Sequence, residues 1–331
     1  MGFAVLGAGS FGTAVANSLA LRGERVTLWC RDPEQARIIN EEHRNPKHLK
    51  TSDLAPSLRA EPEPAAALEG AGHVVVAIPT QQVRGVLQRV SSLPLEGRRF
   101  LSLAKGIEIS TGKMPHQIFQ EVLPEVSFSA LSGPSHAEEV VRDLPTAVIA
   151  ASADPAVALD WQARLNSPHF RIYTSDDVLG VELGGAVKNI IAIAVGVTHA
   201  LSLGDNARAA LATRGLAEIM RLGVALGAQP LTLAGLAGVG DLMATCYSIH
   251  SRNFRFGMAI GQGKSPEEAA AEIGEVVEGA HTVRALAAWA RRAGIELPIT
   301  EGVNAFLYEG AALQEVIGRL LFREPKAENR M

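Results

Sequence analysis

Gly2 to Leu6 is an apolar run that leads directly into Gly7-Ala8-Gly9-Ser10-Phe11-Gly12, and a helical pattern follows from Thr13 to Arg22. Strand, G-x-G-x-x-G, helix constrains the fold more than any other stretch of the chain. Gly7 permits the tight turn, Gly9 lets the backbone approach a pyrophosphate, and Gly12 allows the helix to pack closely on the strand. Amide groups at the helix start then face an anion. Arg25 to Cys30 (RVTLWC) supplies a second strand. That strand-helix-strand context makes the glycines a dinucleotide cradle rather than a structural turn.

The end of the second strand bears on the choice of cofactor. An acid there holds a ribose 2'-hydroxyl, whereas an arginine accommodates a 2'-phosphate. Arg31 comes first and Asp32 second. Either can be a plain surface residue, and Asp32 can cap a helix beginning at Pro33. The order favours acceptance of NADP, with NAD also admitted.

Strand and helix patterns go on alternating: His73 to Ile78, a helix from about Gln81, Phe100 to Leu103, a helix around Met114 to Val122, and Ser127 to Leu131. Such alternation predicts a doubly wound parallel sheet, with ligands beyond the carboxyl ends of its strands. Pro79-Thr80-Gln81, Lys105-Gly106 and Ser132-Gly133-Pro134-Ser135-His136-Ala137 fall at that edge, where Lys105 suits a phosphate or a carbonyl oxygen. Ala147 to Ala151 and Phe170 to Thr174 finish the domain. Beyond Ser175 the pattern is helical almost throughout. The expected architecture is therefore an α/β Rossmann-type N-terminal domain over residues 1–178 followed by an all-α C-terminal domain over 179–331.

Two domains also suit a chain of 331 residues. A formal net charge of -4 argues against a nucleic-acid surface. Cys30 and Cys246 are too few for a disulfide framework or a zinc site, and Met1 enters a strand pattern without the basic start of a signal peptide, so a reducing cytoplasm is expected. Leu222 to Gly240 is uncharged, but glycines, Gln229 and Pro230 interrupt it, so it reads as buried and not as a membrane span. The polar tail from Glu324 to Met331 reads as disordered.

The second domain opens on GVELGGAVKNIIAIAVG, Gly180 to Gly196, in which Lys188 is the single formal charge between Glu182 and Asp205. A lysine in such a helix must find a partner, snorkel to water, or give up its proton, and the last of these makes it an acid or base. Asp241 ends the neutral stretch Gly238-Val239-Gly240. It can accept a substrate hydroxyl, orient Lys188, or cap the next helix. Ser251-Arg252-Asn253 offers a hydroxyl, a guanidinium and an amide suited to phosphate oxygens, or else a solvated turn, with Arg255 close by. Glu275-Val276-Val277-Glu278-Gly279 is a turn whose two acids can reach a cofactor ribose.

The ordered series GAGSFG, SLAKG, LSGPSHAEEV, ELGGAVKNIIAIAVG, TRGLAEIMRLG, GLAGVGDLMATC, SRNFRFG and VVEGAHTV resembles the bacterial-type NAD(P)-dependent glycerol-3-phosphate dehydrogenases over nearly the whole chain. The resemblance implies that Lys188 is the proton acceptor and that Lys105, Gly133, Ser135, Asp241, Ser251, Arg252 and Asn253 surround glycerol phosphate. It implies NADP or NAD contacts from Ser10, Phe11, Arg31, Lys105, Ala137, Arg252, Val276 and Glu278. His136 departs from the family's aromatic residue, and Val276 lies in a variable stretch. The implied reaction interconverts sn-glycerol 3-phosphate and dihydroxyacetone phosphate, without a metal, to supply phospholipid synthesis. The only partner expected is this small-molecule substrate, with no nucleic acid and no integral membrane, and a homodimer is admitted. A related 3-hydroxyacid or 6-phosphogluconate dehydrogenase shares the cradle and a helix lysine. A nucleotide-sensing module shares only the cradle.

Overall fold

The computed structural model describes residues 2–322. The tail expected to be disordered, Glu324 to Met331, lies outside them. The chain divides into two compact units, one formed by everything up to Ala104 together with Pro115–Val178, the other by Lys105–Met114 and everything from Leu179 on. The short segment Lys105–Met114 thus leaves the sheet unit to which its position in the sequence assigns it.

The strands are β1 (Gly2–Leu6), β2 (Val26–Trp29), β3 (Arg44–Asn45), β4 (Leu49–Asp53), β5 (Arg59–Glu61), β6 (Ala71–Val76), β7 (Arg99–Ser102), β8 (Ser127–Ser132), β9 (Thr146–Ala151) and β10 (Phe170–Ser175). Eight of them form one sheet in the order β10-β9-β8-β7-β6-β1-β2-β5, and β3 and β4 make a separate hairpin. Around the sheet run helices α1 (Ser10–Leu21), α2 (Pro33–Glu42), α3 (Pro64–Ala67), α4 (Thr80–Val90), α5 (Pro115–Val122), α6 (Ala137–Val140) and α7 (Pro155–Leu165). β1 and β6 lie side by side at the centre, and their runs GFAVL and AGHVVV are apolar on both faces because helices cover both. Two clusters result, one containing Val5, Leu28, Val75 and Trp161, the other Leu6, Val76, Leu87 and Phe119.

The sheet is not wholly parallel as the alternation predicts, because β9 runs antiparallel to β8. A parallel return needs a crossover of a dozen or more residues, usually a helix. The connection from β8 to β9 holds only the four-residue α6, and the chain simply doubles back. α7 then provides a full crossover, and β10 is parallel to β9. The hairpin β3–β4 and the edge strand β5 went unread for a different reason. They are short and mostly exposed or half-exposed, so no alternation of apolar residues marks them.

The second unit contains α8 (Val178–Ala200), α9 (Asp205–Leu226), α10 (Pro230–Ala234), a π-helical turn (Leu236–Gly240), α11 (Asp241–Cys246), α12 (Arg252–Gly261), α13 (Pro266–Ile273), α14 (Glu278–Ala293), α15 (Pro298–Tyr308) and α16 (Leu313–Leu321). α8 is apolar on every side because it runs through the core of the bundle, where 18 of its 23 residues are buried. α12 crosses it at backbone distance. A Cβ on Gly196 would lie 2.1 Å from the Phe254 carbonyl, and one on Gly257 would lie 2.0 Å from that of Ile193. The neutral stretch Leu222 to Gly240 is not uniformly buried as expected. Gly227 ends α9 in the left-handed region, and one side of the stretch faces solvent, with Leu231 85% exposed.

Candidate active site

Two sets of residues carry the chemistry, one in each unit. In the first, Gly7 has φ +123°, and a Cβ there would sit 2.5 Å from the Ala77 carbonyl oxygen. A Cβ on Gly12 would come within 2.1 Å of the Gly7 oxygen, so α1 starts hard against the turn. Gly9 caps α1 without any side-chain bond to the first-turn amides. A Cβ on Gly9 would meet nothing within 4 Å, which leaves open the space a pyrophosphate requires. The carbonyl side of the loop is tied down instead. The Ala8 oxygen accepts from Gln35 Nε2 at 3.1 Å and from Asn45 Nδ2 at 2.9 Å, and Asn45 also donates to Thr13 Oγ1 at 2.8 Å. The residues present fit a dinucleotide.

At the end of β2, Asp32 caps α2, accepting from the amides of Glu34 at 3.0 Å and Gln35 at 3.5 Å. Its carboxylate also pairs with Lys47 from the β3–β4 hairpin. That bond, helped by the two amides, holds it below the usual carboxylate range. Arg31 beside it is exposed. Lys47 leaves no mark in the sequence because the hairpin that brings it back has no apolar signature.

After β8, Ser135 Oγ donates to the Gly133 carbonyl at 2.9 Å, His136 stands at the N-cap of α6 without a side-chain bond to the helix amides, and Ala137 is buried.

In the second unit Lys188 does not snorkel. It is 6% exposed, and its Nζ donates to Asp241 Oδ1 and, at 2.8 Å, to Thr245 Oγ1. Lys105 Nζ donates to the other oxygen, Asp241 Oδ2, at 2.8 Å. Asp241 is 1% exposed and makes no cap bond, so it binds the two ammonium groups together. Burial lowers the Lys188 pKa to about 8, with Asp241 opposing the shift and Lys105 adding to it. Burial alone would raise the Asp241 pKa, but the two lysines outweigh it and hold the carboxyl below its ordinary value. Cys246 alongside is inert, its thiol pushed up to about 12 by burial.

Thr245 was missed, although it lies four residues after Asp241 and therefore on the same helical face. It donates to the Asp241 carbonyl at 2.6 Å, which leaves a lone pair for Lys188. Asn189, next to Lys188 in the apolar run, was passed over too. Its Oδ1 accepts from Asn253 Nδ2 at 2.9 Å, and Asn253 Oδ1 accepts from the Gly279 amide at 2.9 Å. Ser251 caps α12 on the Phe254 amide at 3.2 Å, and Arg252 pairs with Glu275 at 3.1 Å. Val276 and Glu278 are half-buried at the start of α14.

A glycine turn open to a pyrophosphate, in a chain that also buries an amine near neutrality, places the molecule among the two-domain dinucleotide-dependent oxidoreductases. Comparison with known proteins narrows the class. The family description "NAD-dependent glycerol-3-phosphate dehydrogenase N-terminus" matches residues 2–158, and the corresponding C-terminus description matches residues 177–318. The glycerol-3-phosphate dehydrogenase [NAD(P)+] of Azotobacter vinelandii is 45% identical over 325 residues, covering 98% of this chain and 95% of that protein. That of Chlorobium limicola is 44% identical, covering 99% of each. The crystal structure of the Coxiella burnetii glycerol-3-phosphate dehydrogenase superposes with a TM-score of 0.94 at 39% identity, covering 97% of this chain and 98% of that one. The chain belongs to the NAD(P)-dependent glycerol-3-phosphate dehydrogenase family.

Proposed function

We propose that this chain interconverts dihydroxyacetone phosphate and sn-glycerol 3-phosphate, with Lys188 moving the proton. The observation that carries the reading is the buried Lys105–Asp241–Lys188 set, in which two amines share one carboxylate. With both amines protonated the set has an excess positive charge, which favours a polarised carbonyl oxygen or a nascent alkoxide over a neutral group. When bound, the nicotinamide supplies or accepts a hydride at C2 of the substrate.

In reduction, Lys188 Nζ gives its proton to the oxygen on C2 and is left as a neutral amine, which water recharges. In oxidation, neutral Lys188 takes the hydroxyl proton. A pKa of about 8 lets one group do both at neutral pH. Asp241 and Thr245 hold the amine in place, and Lys105 shares the charge of the oxygen. Gly133, Ser135, Ser251, Arg252 and Asn253 complete the substrate site, Arg252 carrying the charge for its phosphate.

Gly7, Gly9, Ser10, Phe11, Gly12 and Ala137 hold the cofactor with Lys105, Arg252, Val276 and Glu278. Arg31 meets the 2'-phosphate of NADP, and NAD is accepted as well. Residues 1–178 form the cofactor domain and 179–331 the substrate domain. The enzyme works in the cytoplasm, supplies glycerol phosphate for phospholipid synthesis, and assembles as a homodimer. Absorbance at the NADPH band with dihydroxyacetone phosphate tests the reading. Lys188→Ala should lose at least about 10²-fold in kcat while NADPH titrates as in wild type, and near-normal turnover would overturn the role of Lys188.

A further inference from the structure

Of Ser251, Arg252 and Asn253, two are already engaged in holding the fold. The Ser251 hydroxyl caps α12, and the Asn253 amide joins Asn189 to Gly279. Only Arg252 brings charge, and its Nη1 is held 3.1 Å from Glu275 Oε2. Glu275 lies in the short connection between α13 and α14. That connection is pinned at both ends, by Gly274 in the left-handed region and by the Gly279 amide on Asn253. The Glu275 carboxylate is therefore kept beside α12 by the backbone on either side of it. Its side chain is 24% exposed and that of Arg252 is 40% exposed, so the pair is neither sealed in the core nor fully screened by water.

We infer that Glu275 is a resident counter-ion on Arg252 that the phosphate of the substrate must displace, and that it sets the affinity for phosphorylated ligands. The inference rests on the proposed role of Arg252 as the phosphate ligand. A phosphate dianion arriving on the guanidinium meets a carboxylate at hydrogen-bond distance from the same group, and like charges there repel. Glu275 takes Nη1, so its side chain must swing away for a phosphate to bridge the end-on pair Nη1 and Nη2. Binding is thus an exchange of one anion for another, and the observed affinity is the intrinsic one multiplied by the fraction of molecules in which Glu275 has left Arg252. Arg255, one turn further along α12, adds a second positive charge to this helix, and its Nε is buried with no hydrogen-bond partner among the described residues.

The test compares wild type, Glu275→Gln, Glu275→Asp and Arg252→Gln at one fixed ionic strength. It measures the KM for dihydroxyacetone phosphate and the inhibition constant of inorganic phosphate against it. Glutamine keeps the size and a hydrogen-bonding oxygen but removes the charge, so both constants should fall about threefold to tenfold without a rise in kcat. Glu275→Asp retains the charge and should stay near wild type. Arg252→Gln should weaken both ligands. If Glu275 only tethered its connection, Glu275→Gln would lower the melting temperature and leave the constants unchanged or raised, which overturns the inference. Arg252→Gln impaired with Glu275→Gln unimproved defeats the counter-ion role alone, whereas Arg252→Gln binding phosphate as wild type does defeats the phosphate reading and the inference with it.

Discussion

Replacing Asp241 by asparagine tests the buried charge set most directly. The carboxylate has one oxygen on each lysine and opposes the burial that lowers the Lys188 pKa to about 8. At pH 7 an amine with that pKa is about nine-tenths protonated. Removing an opposite charge at hydrogen-bond distance lowers an amine pKa by about one to three units. The Lys188 midpoint in Asp241→Asn should then fall to about 5–7. At a midpoint of about 6 only about one-tenth of the molecules carry the reactive proton at pH 7. Reductive kcat/KM should drop about tenfold from this cause alone, and the pH above which it declines should move down with the midpoint. The assay is a pH-rate profile for dihydroxyacetone phosphate reduction between about pH 5 and 9.5, on protein whose melting curve shows that it is folded. Recovery of the variant toward wild type near its acid limit separates lost charge from lost geometry, since a displaced lysine stays inactive whatever its protonation. A decline at the same pH as wild type, or at a higher one, would refute the reasoning, because it would mean that Asp241 does not keep Lys188 protonated.

Arg31→Ala should raise the KM for NADPH about tenfold and leave that for NADH nearly unchanged, since Asp32 is occupied by its helix cap and by Lys47; equal losses with both cofactors would withdraw the preference. Glu218, 2% exposed on α9, accepts from the Ile299 amide at 2.5 Å and from the Thr300 amide at 3.1 Å, at the first turn of α15. Glu218→Ala orphans both donors and should cost about 2 to 5 kcal/mol in urea unfolding. Burial pushes its pKa from 4.5 up to about 7, against the pull of those donors and of the Thr300 hydroxyl. The folded value lies above the unfolded one, so this contribution to stability is fully present below about pH 4.5 and is lost as pH rises through about 7. Wild-type stability should fall across that window and Glu218→Gln should remove this part of the slope; identical slopes in the two proteins would contradict it.

Local pattern determined a good deal. The glycine turn, the strands of the central sheet and the helical second half follow from neighbours in sequence, because side-chain period and glycine tolerance are properties of the chain over ten or twenty residues. Lys188 was legible for the same reason, as a charge isolated in an apolar run. Tertiary structure decided whatever depends on residues far apart in the chain. Strand direction is one case, since the period of β9 is the same whether it runs parallel or antiparallel to β8. The hairpin that brings Lys47 to Asp32 is another, being too short and too polar to leave a pattern. So is the fate of Lys188, whose choice between water, a partner and neutrality turned on Asp241, fifty-three residues away, and on Lys105, which joins the helical unit through a segment that sequence order places with the sheet. The physical reason is common to all three. Periodicity records which side of an element is buried, while charge pairing and proton affinity depend on the atoms within a few ångströms, and only the folded chain chooses those.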